Sequence, residues 1–381
     1  MICRHPYLRQ GSGSGFRAGS CRRNIGLSTA PGHPSEATAR SVFSKGYRMQ
    51  AAISRLGAVR IVAAIATALL LVIAAGCTSP PPSPDQQFPE GVRIAAVGDM
   101  NGVRSFAPAS PSGRNGAAIT RLEQDNEIDA FLGLGDFQYS APHCEDYVKY
   151  WKRLWGGTEP KLYWVSAPNH DWQPGRNEDL DKFMDGQCPG SPEKAAINQE
   201  RGFIGNGEPY SKDFGNWHFA FVPSAYWRYQ PAKAELVTTW LDNDLAGAQA
   251  AGKHLAVVYH EPYFTSDTPA HGRAAEHKPW IDVMWKYRVR LTLSGSQHNY
   301  ERSCPVNNED QCVSDGMTAF QVSTGGAGLR PFTSHPSYIE KRFSDTHGFL
   351  RLTLRDDGSF DWNFVPTTGS STDAGTRPAS Q

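Results

Sequence analysis

Residues 130–139 read Ala130-Phe131-Leu132-Gly133-Leu134-Gly135-Asp136-Phe137-Gln138-Tyr139. A short apolar run breaks at a glycine and delivers an aspartate and, three residues on, a tyrosine. Such a run reads as a strand buried on both faces, and the Gly-Asp behind it as the turn at its carboxyl end. The same punctuation recurs along the chain. Val92–Val97 closes in Gly98-Asp99, Lys161–Ser166 in Pro168-Asn169-His170-Asp171, His254–Tyr259 in His260-Glu261-Pro262, and Val289–Leu293 in Gly295-Ser296-Gln297-His298. Trp217–Val222 and Ala319–Val322 are further runs of this kind, and Ala117–Asn126 and Ala234–Ala251 have helical character. Gly348–Val365 alternates apolar and polar residues around Asp357-Gly358, a hairpin signature. Strands alternating with helices and closed by a hairpin imply an α/β layered sandwich. Neither an internal repeat nor a second linker is evident, so one catalytic domain is expected over 92–366, followed by a disordered tail, 367–381.

The rest of the chain differs in character. The first 76 of the 381 residues hold ten Lys/Arg and one acid, which leaves 28 bases and 37 acids, a formal charge of −9, for the remainder. An acidic body argues against non-specific nucleic-acid binding, which needs a basic surface. Ile61–Gly76 (IVAAIATALLLVIAAG) follows Arg55 and Arg60 and ends at Cys77. It has the length of a signal-peptide core, and small residues before a cysteine resemble a lipobox, although Ala74 stands where leucine is commonest. An uncleaved anchor is the alternative, and either places the body outside the cytoplasm. Residues 1–48 read as a mis-called or disordered extension, 49–76 as the signal peptide and 77–91 as a lipidated cysteine with a Pro-rich tether. Contact with the membrane is expected through the lipid anchor only. Cys144, Cys188, Cys304 and Cys312 remain, an even number for an oxidising compartment, and Cys304–Cys312 closes a short loop easily.

In α/β sheets the carboxyl ends of the strands border the ligand crevice, so five runs bring Asp, Asp, Tyr, Asn, His and His to one edge. Oxygen donors mixed with imidazoles suit Fe, Mn or Zn better than calcium. One carboxylate bridging two ions holds them at roughly 3.5–4 Å, the spacing of two-metal hydrolases.

This ordered set resembles the calcineurin-like metallophosphoesterases, most closely the purple acid phosphatase branch, over about Val92 to Val365. The family pattern of Asp, G-D-x-x-Y, G-N-H-D/E, V-x-x-H and G-H-x-H is met by Asp99, Gly135–Tyr139, Asn169–Asp171, Val257–His260 and Gly295–His298. Tyr210–His218 and Ser323–Gly328 also match family stretches. The resemblance implies an α/β/β/α sandwich and two divalent or trivalent ions, Fe with Zn, Mn or Fe. It implies that Asp99, Tyr139, His298 and the bridging Asp136 hold the first ion, and that Asp136, Asn169 and His260 hold the second. It further implies phosphate-monoester hydrolysis by a metal-held hydroxide. His170 would be the general acid with Asp171 as its partner, and His271 would face the substrate. His218, inside an apolar run, is expected to be structural. Two residues depart from the pattern. Pro168 replaces a glycine and removes no ligand, while Ser296 replaces the first histidine of G-H-x-H and weakens the second site. That leaves open a weakly held second ion, a one-metal enzyme, or a phosphatase-fold surface lipoprotein that binds metal or phosphate with little or no catalysis.

Overall fold

A computed structural model describes residues 91–173, 179–191, 198, 202 and 207–379. The extension 1–48, the segment 49–76 and the tether up to residue 90 lie outside the described residues. Every described residue belongs to one compact unit, Pro80–Gln381. Among the described residues no helix is long and apolar enough to cross a membrane.

Thirteen described strands form two mixed sheets. In chain order β1 is Val92–Val97, β2 Ala130–Gly133, β3 Leu162–Trp164, β4 Tyr210–Phe214, β5 Trp217–Phe221, β6 His254–Val258 and β7 Leu291–Ser294. They are followed by β8 Tyr300–Val306, β9 Met317–Val322, β10 Ile339–Phe343, β11 His347–Leu354, β12 Phe360–Thr368 and β13 Ala374–Arg377. One sheet runs β13-β12-β11-β1-β2-β3 and the other β10-β8-β9-β7-β6-β5-β4. The parallel sets are β1-β2-β3 and β5-β6-β7-β9, with antiparallel strands on their flanks.

Side chains of successive strand residues point to opposite faces, and the packing of β6 uses both. Ala256 and Val258 join a core with Ile94, Leu132 and Leu352, which share one face of the other sheet, so that core lies between the sheets. Leu255 and Val257 join a second core with Val237, Leu241 and Leu245 of the helix Pro231–Ala250 and Trp280 and Ile281 of the helix Lys278–Lys286. The result is the expected α/β/β/α sandwich. Fully buried Trp217 meets Phe360 of the other sheet in the inter-sheet core, while fully buried Trp155 stacks on Phe131 on the outer face beneath the helices, each large side chain contributing about 2 kcal/mol or more of apolar burial. Cys144–Cys188 and Cys304–Cys312 are disulfides.

Two boundaries differ from the sequence reading. The first helix is Pro111–Gln124, beginning before Ala117, because Ser110 caps it by accepting the Gly113 N–H at 3.1 Å and Pro111 occupies its first turn. The tail 367–381 is ordered over most of its length, and β12 and β13 extend the sheet beyond 366. Asp373 anchors it: its buried carboxylate accepts from the Tyr300 hydroxyl at 2.9 Å, Arg302 Nε at 2.7 Å and Trp362 Nε1 at 3.1 Å.

His218 is structural, as expected, but polar in its role. It faces Asp213 across the β4–β5 pair at 2.7 Å and Asp244 of the helix Pro231–Ala250 at 2.9 Å, clamping hairpin to helix. Burial pulls its pKa down, but the bonds to Asp213 and Asp244 outweigh that and raise it to about 9. A folded pKa above the unfolded value near 6.5 stabilises fully below that value, and the contribution is lost as pH rises through about 9. In urea unfolding, wild type should exceed His218→Gln in stability near pH 6 and converge with it near pH 10. A gap independent of pH would show that the clamp is not ionic.

Candidate metal centre

Each predicted donor lies just past a strand, yet the strands belong to two sheets. Asp99 follows β1, Asp136 follows β2 and Asn169 lies beyond β3, all in the six-stranded sheet. His260 follows β6, and Ser296 and His298 follow β7, in the seven-stranded sheet. Backbone bonds tie the turns together. Asp99 N–H donates to Gly135 O at 2.9 Å, Gly295 N–H to His260 O at 2.9 Å, and Gly98 N–H to Val322 O at 2.9 Å across the sheets.

Tight turns at strand ends require unusual backbone. Asp99, Asp136, Ser296 and His298 all have positive φ, between 52° and 78°. Non-glycine residues adopt this region at a cost, and such residues cluster at functional sites. Gly135 has φ 100°, and a Cβ there would lie 2.4 Å from His260 Nδ1, so the G-D-x-x-Y glycine gives the imidazole room. Gly325 and Gly326 allow the Ser323–Gly328 loop to press on the Asp99 turn, since added Cβ atoms would lie 2.6 Å from Gly98 O and 2.4 Å from Met100 O.

Around Asp136 the donors divide into two groups. Its Oδ2 lies 2.5 Å from the Tyr139 hydroxyl, which is 2.6 Å from Asp99 Oδ1 and 2.9 Å from His298 Nε2. Its Oδ1 lies 3.2 Å from His260 Nε2 and accepts the His170 N–H at 3.1 Å. Asp99, Asp136 and His260, all buried, offer donor atoms within 4.8 Å of one another. The imidazoles are oriented from behind. His260 Nδ1 meets Leu134 O at 2.7 Å and His298 Nδ1 meets Gly328 O at 2.8 Å. A carbonyl only accepts, so each Nδ1 carries a proton and each Nε2 is the nitrogen left facing inward, the usual support of metal-binding histidines.

Two buried atoms point to a cation. His260 Nε2 and Asn169 Oδ1 lack a hydrogen-bond partner, and leaving such groups bare costs free energy. The residues therefore fit two ions: Asp99, Tyr139, His298 and Asp136 Oδ2 for one, Asp136 Oδ1, His260 and Asn169 for the other. The electrostatics agree. Burial pushes both aspartates up, but the imidazoles outweigh it, so Asp99 and Asp136 sit below the usual carboxylate range. The Tyr139 hydroxyl is pushed well above its ordinary value, by burial first and then by Asp136 and Asp99, and a bound cation reverses that balance.

The remaining predicted residues fall differently. Ser296 is in the site, and its backbone N–H, not its hydroxyl, holds Asp99 Oδ2 at 2.8 Å. His170 stands at the lip, its ring 4.6 Å from that of Tyr139 and its Nδ1 2.7 Å from Ser140 O. Asp171 is directed elsewhere: buried, it accepts from the Phe137 N–H at 2.7 Å, the Gln138 N–H at 3.3 Å and the Tyr147 hydroxyl at 2.8 Å. It braces the loop between Asp136 and Tyr139, and burial followed by the charge of Asp136 raises its pKa to about 8. His271 is half-buried, and burial, then Arg330 and His298, lower its pKa so that it stays neutral.

Sequence reasoning missed the groups behind the donors. Ser224 Oγ accepts the His260 N–H at 3.0 Å and donates to the buried Glu261 carboxylate. Glu261 was visible directly after His260, whereas nothing local marked Ser224 or Tyr147.

Three comparisons bear on this geometry. No family model matches the chain. In sequence it is 26% identical to "Probable inactive purple acid phosphatase 24" of Arabidopsis thaliana, over 74% of this chain and 48% of that protein. It is also 26% identical to a nucleotide pyrophosphatase/phosphodiesterase of Hordeum vulgare, over 76% of this chain and 82% of that protein. The chain thus spans about half the length of the first of these relatives. In structure it matches the purple acid phosphatase PPD1 from yellow lupin with a TM-score of 0.56 and 21% identity, covering 78% of this chain and 55% of that one. The chain has the metallophosphoesterase fold, and its sequence similarity lies with the purple acid phosphatase-like branch of the calcineurin-like metallophosphoesterases.

Proposed function

We propose that the chain is an exported metal-dependent phosphoesterase acting on small phosphate monoesters. The observation that carries this reading is the division of donors around Asp136, with Tyr139, Asp99 and His298 on one carboxylate oxygen and His260 on the other. Such a pair of ions supplies Lewis-acid polarisation of a phosphate and a nucleophile at neutral pH. The chain's residues do the rest. Asp136 fixes the spacing, the Leu134 and Gly328 carbonyls hold the imidazoles in register, and Asp171 braces the loop that carries Tyr139. His170, with Nδ1 on the Ser140 carbonyl, turns Nε2 toward a leaving group and serves as its proton donor. Neutral His271 accepts a hydrogen bond from, or donates one to, the ester. Two disulfides and the segment 49–76 support an oxidising, extracytoplasmic location, anchored through Cys77 or secreted.

A second reading is a surface protein that binds metal or phosphate without turnover. Ser296 at a ligand position favours it, as does the word "inactive" in the name of the Arabidopsis relative.

Hydrolysis of an aryl phosphate with Fe, Mn or Zn supplied separates the readings. Wild type should turn over, and His260→Ala should lose about one ion per chain and roughly 100-fold or more in rate, since even outer-shell changes cost 10–100-fold. Metal-loaded wild type without turnover would establish the binding reading. If the first ion is ferric, the protein should be coloured by phenolate charge transfer, and Tyr139→Phe should bleach it; unchanged absorption removes Tyr139 from the site. Ser296→His should tighten the second ion by about 10-fold or more, imidazole being a far better donor than a hydroxyl, with the rate gain largest at limiting metal. Unchanged stoichiometry and rate would end the two-metal mechanism but not the fold.

A further inference from the structure

At the opposite edge of the seven-stranded sheet a cleft of 650 Å³ is lined by Leu255, Tyr287, Arg288, Arg290, Asp315 and Arg377, among others. Arg290 directly precedes β7 and Ser296 lies beyond it, so six residues of largely extended chain, roughly 20 Å, separate this cleft from the metal centre.

Two of its arginines are nearly inaccessible, Arg290 at 6% and Arg377 at 8% exposure. Arg290 Nε donates to Gly358 O at 3.0 Å and Nη2 to Pro378 O at 2.6 Å. Arg377 Nη2 donates to Ser314 O at 2.8 Å and Gly316 O at 3.2 Å. All four acceptors are neutral carbonyls, and neither guanidinium forms an ion pair among the described residues. This sets them apart from Arg302, which has Asp373 and Glu340, and Arg273, which has Asp310. Buried cations are normally paired, because burial penalises the charge. Here burial lowers the pKa of both, and for Arg377 the neighbouring charge of Arg290 is the next cause, so the two guanidiniums repel each other. The cleft adds exposed Arg288 and a single acid, Asp315, while Lys253 at its rim is taken by Asp213 at 3.3 Å.

We propose that this cleft is a second ligand site, for a small organic phosphate. Two buried arginines lining one cleft, with exposed Arg288 beside them, match a dianionic head with several oxygens better than a single carboxylate. Leu255 and Tyr287 supply a wall for an apolar or aromatic body, and the volume suits a small molecule. The charges are held by backbone carbonyls of the β11–β12 turn, of the β13 end and of the loop before β9, so the site is fixed before a ligand arrives.

Phenylphosphonate, which is not hydrolysed, is the probe, with benzoate as the carboxylate control, titrated calorimetrically into the full chain. Binding should persist in His260→Ala stripped of metal with a chelator, which leaves no ion at the metal centre to hold the phosphonate. It should fall about tenfold or more in Arg377→Gln, the loss of a charge-assisted contact, and less in Arg377→Lys. Exposed Arg288→Gln, which leaves the buried bonds intact, should weaken it measurably, and neither Arg288→Gln nor Arg377→Gln should change aryl-phosphate hydrolysis. Absence of binding, or binding lost in His260→Ala and kept in the arginine variants, overturns the site. Benzoate binding as tight as phenylphosphonate overturns the phosphate assignment.

Discussion

A fully buried carboxylate with a different donor set on each oxygen is the constraint on which the centre depends. Asp136 cannot turn without losing either Tyr139 or His260, so its position fixes the distance between two coordination spheres. Two carboxylates, a phenol and two imidazoles in a dry space are also short of positive charge, and the bare atoms of His260 and Asn169 show where the deficit lies. Many nearby features serve to hold that arrangement. Glycines allow turns to press on one another, main-chain carbonyls set the imidazole tautomers, and Asp171 spends its carboxylate on backbone N–H groups.

Most of this was legible because the signal is local. A donor that sits one or two residues past an apolar run announces both a strand and its carboxyl end, and this holds for Asp99, Asp136 and His260, with His298 a few residues farther on. The antiparallel flanking strands were harder. In β8 and β10 the alternation is broken by Glu301, Arg302, Lys341 and Arg342, and Glu301, Arg302 and Arg342 find their partners on other elements. The ordering of β13 depends on Asp373 meeting Tyr300, Arg302 and Trp362, a contact between residues far apart in sequence. Asp171 was misread for the same reason: adjacency to His170 suggested a pair, whereas the fold turns its carboxylate toward the 137–138 backbone.

Ser296 shows how a motif position retains one role and loses another. Its peptide N–H still orients Asp99 and its φ of 78° still forms the turn, so the loop survives without an imidazole. The geometry that places the donors is therefore separable from the donor itself.

The pairing of β1 with β11 has a further consequence, for the order of assembly. Val92 meets Leu354 and Ala96 meets Leu350, so the strand that opens the described chain is completed by one near its far end. Synthesis proceeds from the amino end, leaving β1 and β2 with one open edge while the rest is made. Asp99, which rides on β1, gains its final setting only when β11 closes that edge and the Ser323–Gly328 loop settles on its turn. Non-local closure of this kind slows folding, and ligands drawn from both sheets do not form a site before it. Metal loading is then a late event, reporting completion of the fold.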